Sequence, residues 1–282
     1  MLIESSMSAS DRYAVFGNPI AHSRSPTIHT MFAEQTGQQL TYTRQLVEIG
    51  DFERSTLAFI ESGGRGANVT LPFKIEAWAI ADILTDRAQS AGAVNTLTFD
   101  ERGIVGDNTD GLGFVTDLAV NAGIPIVDRR ILLLGAGGAA QGVVLPLLQM
   151  RPASLVIANR TASKAIAIAT RFVDLAHAPG VIQAAEFSEL DGRFDIVINA
   201  TAASLSSKVP EIPVTVFDAS TFAYDMMYGP APTAFMQLAA GRGATVRDGL
   251  GMLVEQAAEA FRIWRNVRPA TSSVLRALRS SL

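Results

Sequence analysis

The run Ile131-Leu132-Leu133-Leu134-Gly135-Ala136-Gly137-Gly138-Ala139-Ala140 constrains the fold of this chain more than any other stretch. A short apolar segment reads as a buried strand, a glycine-rich turn follows it, and a helix-compatible run comes next. That order presents the free backbone N–H groups of a helix start to a pyrophosphate. In this reading Gly135 makes the tight turn, Gly137 lets phosphate approach the backbone, and Ala140 lets helix and strand pack closely. A glycine-rich turn alone is also compatible with an ordinary turn, so its context matters. A second apolar run, Leu155-Val156-Ile157-Ala158, ends where a dinucleotide site reads the adenosine ribose. An NAD site places Asp or Glu there, about 20 residues beyond the turn. This chain has Asn159 and Arg160 instead. A guanidinium holds a 2′-phosphate through charge-assisted bonds, whereas a carboxylate repels it. The pattern favours NADP over NAD.

The chain has 282 residues, 48% hydrophobic and 18% charged, enough for one large core or two modest ones, and length favours two domains. A formal charge of −4 with no basic block argues against a dedicated nucleic-acid surface. Cysteine is absent, which excludes disulfides and thiolate metal ligands, and no cluster suggests another metal site. The opening stretch 1–10 is polar, without the basic and apolar regions of a signal peptide, and reads as an extension in which Met7 is an alternative start. No run reaches the roughly 18 apolar residues of a membrane span. The expectation is a soluble cytoplasmic protein.

Strand and helix signals alternate through the first hundred or so residues, which favours an α/β layer. Strands are expected at 13–17, 40–47, 67–71 and 93–99. Ser25-Pro26 opens a helix with Ser25 as N-cap; Ile28, Met31 and Phe32 form its buried face and Gly37 ends it. A second helix runs over 52–62 to Gly63-Gly64. A third begins at Pro72 and carries Ile75, Trp78 and Ala79 inward. Residues 100–103 read as a hairpin turn. From about Gly111 to Asp248 the alternation repeats around the glycine turn, with strands at 195–200, 216–220 and 223–226. In the helical tail Val254, Ala257, Ala258, Phe261 and Trp264 share one face, and a last helix from Thr271 carries Val274, Leu275 and Leu278. A dinucleotide domain needs no such pair, so the tail is expected to return to the first domain.

Several polar segments lie at strand ends, where open α/β sheets bind ligands. Ser23 and Ser25 bring two hydroxyls to a helix start, which suits a carboxylate but equally describes a capped loop. His22 beside them reads as a loop histidine. Asn68-Val69-Thr70-Leu71-Pro72-Phe73-Lys74 runs from a strand end into a helix. Lys74 falls in the first helical turn, where a cation opposes the helix dipole; an exposed, inert lysine is the bland alternative. Asn95 is an amide inside a strand. Gly106-Asp107-Asn108-Thr109-Asp110-Gly111 is a polar turn ahead of a helix. Asp248-Gly249-Leu250-Gly251-Met252-Leu253 leads to Gln256 in an apolar helix.

Taken in order with Gly92-Ala93-Val94-Asn95-Thr96, Asn159-Arg160-Thr161 and Tyr224-Asp225-Met226, these segments resemble the shikimate dehydrogenase family from Tyr13 to Trp264. The resemblance implies two α/β domains: a mixed-sheet substrate domain (1–110 and 250–282) and a Rossmann-type NADP-binding domain (111–249). The C-terminal helices return to the first. It implies that Ser23, Ser25 and Tyr228 hold a substrate carboxylate, and that Thr70, Asn95, Asp110 and Gln256 bond ring oxygens. Lys74 and Asp110 would be the catalytic pair. Gly135, Ala136, Gly137, Gly138 and Ala139 would hold the pyrophosphate. Asn159, Arg160, Thr161 and Lys164 would surround the ribose phosphate, Met226 and Gly249 would line the nicotinamide pocket, and Asp86 would stand on the cofactor side. The chain departs from the family at Lys164, where a second arginine is common, and in Asn199-Ala200-Thr201-Ala202-Ala203-Ser204. The implied activity is reversible NADPH-dependent reduction of 3-dehydroshikimate to shikimate, by a monomer or homodimer with small-molecule partners and no metal. The rivals are a quinate/shikimate dehydrogenase that also uses NAD, and a non-catalytic dinucleotide-binding regulator, which would have no use for Lys74 with Asp110.

Overall fold

The structure, a computed structural model, describes residues 10–201, 203 and 208–282. The polar opening 1–9 lies outside them, as do Ala202 and Ser204 of the divergent loop. The chain forms two α/β units, each built on a six-stranded sheet.

In the first, β1 (Asp11–Gly17), β2 (Leu40–Leu46), β3 (Gly64–Val69), β4 (Ile83–Leu84), β5 (Thr96–Asp100) and β6 (Gly103–Asp107) lie in the order β2-β1-β3-β5-β6-β4. The β2-β1-β3 part is parallel, as helical crossovers require; α1 (Ser25–Thr36) and α2 (Phe52–Glu61) supply them. β5 reverses against β3 and β6, so the sheet is mixed. The β5–β6 hairpin turns at Asp100–Gly103, as expected. Two short helices, α3 (Lys74–Ala79) and α4 (Asp86–Ala91), complete this unit. Its core gathers Phe16, Phe52, Phe59, Phe73, Val69 and Leu97.

In the second, β7 (Arg130–Leu134), β8 (Ser154–Asn159), β9 (Ile182–Glu186), β10 (Ile196–Asn199), β11 (Phe222–Asp225) and β12 (Thr245–Asp248) are all parallel, in the order β12-β11-β10-β7-β8-β9. Ile131 and Leu133 pack into one core and Leu132 and Leu134 into another. Helices cover both faces, which is why β7 reads as an unbroken apolar run and not as an alternation. The strand order reverses between β7 and β10, and there a doubly wound sheet opens a crevice for its ligand. The helices are α6 (Gly138–Gln149), α7 (Ala162–Phe172) and α8 (Ala234–Ala240).

Two helices join the units. α5 (Asp110–Thr116), continued by a π-turn over Asp117–Asn121, leaves the first sheet and packs against α6. α9 (Leu250–Arg265) returns from β12 and packs against α5 and α1, with α10 (Thr271–Ser280) behind it. Leu250, Val254, Ala257, Ala258 and Phe261 of α9 bury against Ile28 and Phe32 of α1 and Val274 and Leu278 of α10. The tail thus returns to the first unit. Among the described residues, no helix is long and apolar enough to cross a membrane.

Several local expectations are corrected. Ser25 is not the N-cap of α1: Arg24 is, and the Ser23 hydroxyl accepts the Ser25 N–H at 3.3 Å. α3 starts at Lys74, beyond Pro72, and buries Phe73 and Ala77; Ile75 is 69% and Trp78 38% exposed. The spacing of Ile75, Trp78 and Ala79 does describe one helical stripe, but α3 is too short for propensity to fix its roll, and the Phe73 ring in the core fixes it instead. Residues 216–220 form no strand; a 3₁₀ turn over Val214–Val216 buries the valine, and the chain then bends through Asp218–Thr221 hydrogen bonds. Asn95 stands just before β5, not within it, although its backbone still bonds to Val69 and Asp107.

Candidate active site

A cavity of about 370 Å³ lies between the strand ends of the first sheet, α9 and the segment after β11. Ser23, Ser25, Thr70, Lys74, Asn95, Asp110, Met226, Tyr228, Gly249 and Gln256, singled out from distant parts of the sequence, all line it. The β1–α1 loop brings the serines, the β3–α3 junction brings Thr70 and Lys74, and the start of α5 brings Asp110.

Lys74 and Asp110 are each the first residue of a helix, α3 and α5 respectively. Lys74 Nζ donates to Asp110 Oδ2 at 2.5 Å, with side chains 29% and 15% exposed. The carboxylate explains how a cation is held at the positive end of α3: the countercharge comes from the neighbouring helix start, where an anion is favoured. Asp110 Oδ1 accepts from Asn95 Nδ2 at 2.8 Å. Asn95 Oδ1 in turn accepts from the Thr109 N–H and the Thr96 hydroxyl, each at 2.8 Å, so the amide is fixed from both ends. Gln256, nearly two turns into α9, lies 3.3 Å from the same Asn95 nitrogen. The couple is thereby anchored to three separate elements, which is how a constellation of long side chains is held rigid.

Asn68, for which the sequence alone suggests no role, also lines the cavity. Its Oδ1 accepts from Tyr42 OH at 2.7 Å, and its Nδ2 reaches the Thr96 hydroxyl at 3.1 Å. Tyr42 stacks on His29 with ring centroids 4.2 Å apart. Burial lowers the His29 pKa from 6.5 to about 3 and raises that of Tyr42, so this column below the cavity is uncharged. His29 gave no signal in the sequence beyond its place one turn after Ser25. Tyr228 also lines the cavity; burial raises its pKa, with the charge of Arg24 acting against it.

Met226 and Gly249 join this cavity to the second sheet. A Cβ on Gly249 would lie 2.1 Å from the Met226 carbonyl oxygen, so only glycine allows this approach. At the reversal of the second sheet, Gly135 has φ of +108° and its N–H bonds the Ala158 carbonyl at 2.8 Å. Gly137 caps α6 without a side-chain bond, the first turn holds no acidic residue, and the space over Gly137 and Gly138 is open. Ala140 is fully buried. Among the described residues the N–H groups of this helix start have no acceptor outside the helix, which suits an anion.

A second cavity of about 540 Å³ adjoins the β8 end and includes Asn159, Arg160, Thr201 and Lys208 in its lining, with Glu186 and Glu211 also present. Arg160 is exposed and, among the described residues, makes no hydrogen bond or ion pair. Lys208 was not foreseen, because it follows the divergent loop by several residues and no spacing ties it to Arg160. Thr161 and Lys164 are exposed at the start of α7 and do not line this cavity; Asp86 is exposed at the start of α4, outside both cavities.

A doubly wound sheet with an open glycine turn, facing a polar cavity that contains a lysine–aspartate couple, defines a dinucleotide-dependent α/β enzyme of two units. The description "Shikimate dehydrogenase substrate binding domain" matches residues 15–97, "Shikimate / quinate 5-dehydrogenase" matches 117–208, and "Shikimate 5'-dehydrogenase C-terminal domain" matches 249–279. The shikimate dehydrogenase (NADP(+)) of Janthinobacterium sp. (strain Marseille) is 59% identical over 272 residues, 96% of this chain and 98% of the relative. Among solved structures, the Ael1 enzyme of Pseudomonas putida is 47% identical with a TM-score of 0.90, covering 95% of this chain and 98% of its own. Shikimate 5-dehydrogenase of Thermus thermophilus, solved with NADP(H) and shikimate, is 32% identical with a TM-score of 0.84, covering 96% and 100%. The chain belongs to the shikimate dehydrogenase family.

Proposed function

We propose that this chain is an NADP-dependent shikimate dehydrogenase, reducing 3-dehydroshikimate to shikimate reversibly, with Lys74 and Asp110 as its catalytic couple. The observation that carries the reading is the 2.5 Å contact between Lys74 Nζ and Asp110 Oδ2 inside the cavity that also collects Ser23, Ser25, Thr70, Asn95, Tyr228 and Gln256. A non-catalytic regulator has no use for that couple. In this proposal the hydroxyls of Ser23, Ser25 and Tyr228 take the substrate carboxylate, and Thr70, Asn95, Asp110 and Gln256 take the ring oxygens.

The open helix start and an Arg160 without a partner among the described residues fit NADP. Gly135, Ala136, Gly137, Gly138 and Ala139 would hold its pyrophosphate. Arg160 with Asn159 and Lys208 would hold the ribose phosphate, with Thr161 and Lys164 at the rim; Met226 and Gly249 would flank the nicotinamide, and Asp86 would stand on the cofactor side. The cofactor, when bound, supplies or accepts the hydride. As the ketone carbon is reduced, negative charge grows on its oxygen. The Lys74 ammonium stabilises that charge and delivers the proton that completes the alcohol. In the oxidation direction the neutral amine takes the hydroxyl proton. Asp110 holds the lysine in place, and Asn95 holds Asp110.

The substrate domain comprises 1–110 and 250–282 and the cofactor domain 111–249, in a cytoplasmic monomer or homodimer that takes small molecules and no nucleic acid. The test is absorbance at the NADPH band with purified protein, shikimate or quinate, and NADP⁺ or NAD⁺. Turnover of shikimate with NADP⁺ above the other three pairings is expected; preference for quinate or NAD⁺ favours the quinate/shikimate rival, and no turnover contradicts the proposal.

A further inference from the structure

Arg24 is the one guanidinium in the lining of the 370 Å³ cavity, and the function above does not use it. It is the N-cap of α1, between Ser23 and Ser25, and makes no side-chain cap bond. A cation there opposes the positive end of the helix dipole, so local structure does not call for it. Among the described residues its guanidinium makes no hydrogen bond or ion pair. Arg44, also at this loop, is committed to the Ser23 carbonyl oxygen at 2.7 and 3.0 Å.

The charge balance of the cavity gives Arg24 a task. Among the described residues, three lining side chains carry formal charge at neutral pH: Lys74, Asp110 and Arg24. Lys74 and Asp110 offset each other at 2.5 Å. A carboxylate drawn out of water into this space would therefore meet neutral hydroxyls and no net countercharge, were it not for Arg24, and an unpaired charge so placed is costly. Tyr228, which lines the same cavity as the serines, feels the Arg24 charge.

We propose that Arg24 supplies the countercharge for the substrate carboxylate and so sets the preference of this cavity for anionic over neutral substrates. The proposal rests on reading the cavity as the shikimate site. It assigns the serine and tyrosine hydroxyls to orientation and the discrimination of charge to Arg24.

The test compares wild type with Arg24→Gln and Arg24→Lys, using shikimate as substrate and its uncharged methyl ester as competitive inhibitor. Loss of a charge-assisted contact should raise the KM for shikimate about 10- to 150-fold in Arg24→Gln, with kcat little changed. The inhibition constant of the ester should stay near its wild-type value, and Arg24→Lys should recover most of the lost affinity. An unchanged KM for shikimate overturns the proposal. So does an equal loss with shikimate and ester, which marks Arg24 as a structural part of the loop. A wild type that does not turn over shikimate removes the reading of the cavity itself, and this proposal with it.

Discussion

Replacing Arg160 with alanine should erode the preference for NADP⁺ over NAD⁺ while leaving catalysis with NAD⁺ intact. Arg160 is exposed and lines the cavity at the β8 end, and its removal breaks no hydrogen bond or ion pair among the described residues. The effect is therefore expected on the ligand. A charge-assisted contact to a 2′-phosphate contributes about 1.5–3 kcal/mol, and its loss should raise the KM for NADP⁺ roughly 10- to 150-fold. Exposure to solvent places the expected value toward the lower end, because water and salt screen the guanidinium. Lys208 lines the same cavity and leaves a residual preference, which Arg160→Ala with Lys208→Ala should remove further. Steady-state kinetics with both cofactors at two ionic strengths read all of this, and added salt should weaken NADP⁺ binding more in wild type than in the double variant. A ratio of kcat/KM for NADP⁺ over NAD⁺ that stays within about twofold of wild type in Arg160→Ala would refute the reasoning.

Two further outcomes concern the frame around the site. Asp117, fully buried in the π-turn between the two units, accepts from Arg247 at 2.6 and 2.9 Å and from Tyr224 OH at 2.8 Å. Asp117→Ala strands Arg247 and Tyr224, also removes the Asn121 Nδ2 bond at 3.0 Å, and should cost about 3–5 kcal/mol in urea denaturation; a loss below about 1 kcal/mol would show the network to be dispensable. His29 is kept neutral by burial, with its pKa lowered from 6.5 to about 3. Below about pH 6.5 the unfolded chain takes up a proton that the folded chain refuses, so this part of the stability is complete above that pH and is lost as pH falls toward 3, with a slope approaching about 1.4 kcal/mol per unit. His29→Phe, which can keep the ring contact with Tyr42, should flatten that slope; an unchanged slope between pH 6 and 4 would contradict the assignment.

The readable parts of this sequence are those where one backbone rule acts alone. The strand–glycine–helix order at 131–140 encodes its geometry locally, and the apolar run of β7 follows from burial on both faces. Lys74 and Asp110 could be flagged by electrostatics and polarity, but only the resemblance paired them, because nothing local tells one helix start that another faces it. The roll of α3 departs from its apolar stripe because a six-residue helix takes its orientation from the core it meets. The expected strand at 216–220 failed for a related reason: Val216 and Phe217 do bury, but as a turn beneath the second sheet, and apolar content alone does not separate the two. His29, Asp117 and Lys208 take their roles wholly from partners distant in sequence or from the shape of the fold.

The central claim is that Lys74 moves the proton, and Lys74→Ala tests it directly. Asp110 keeps its bond from Asn95 in this variant, so the cavity should persist, and substrate binding can be measured separately from chemistry. NADPH formation from shikimate should show kcat lowered about 100-fold or more, with the KM for shikimate changed far less. A variant that keeps its kcat and loses only affinity would make Lys74 a binding residue and contradict the account.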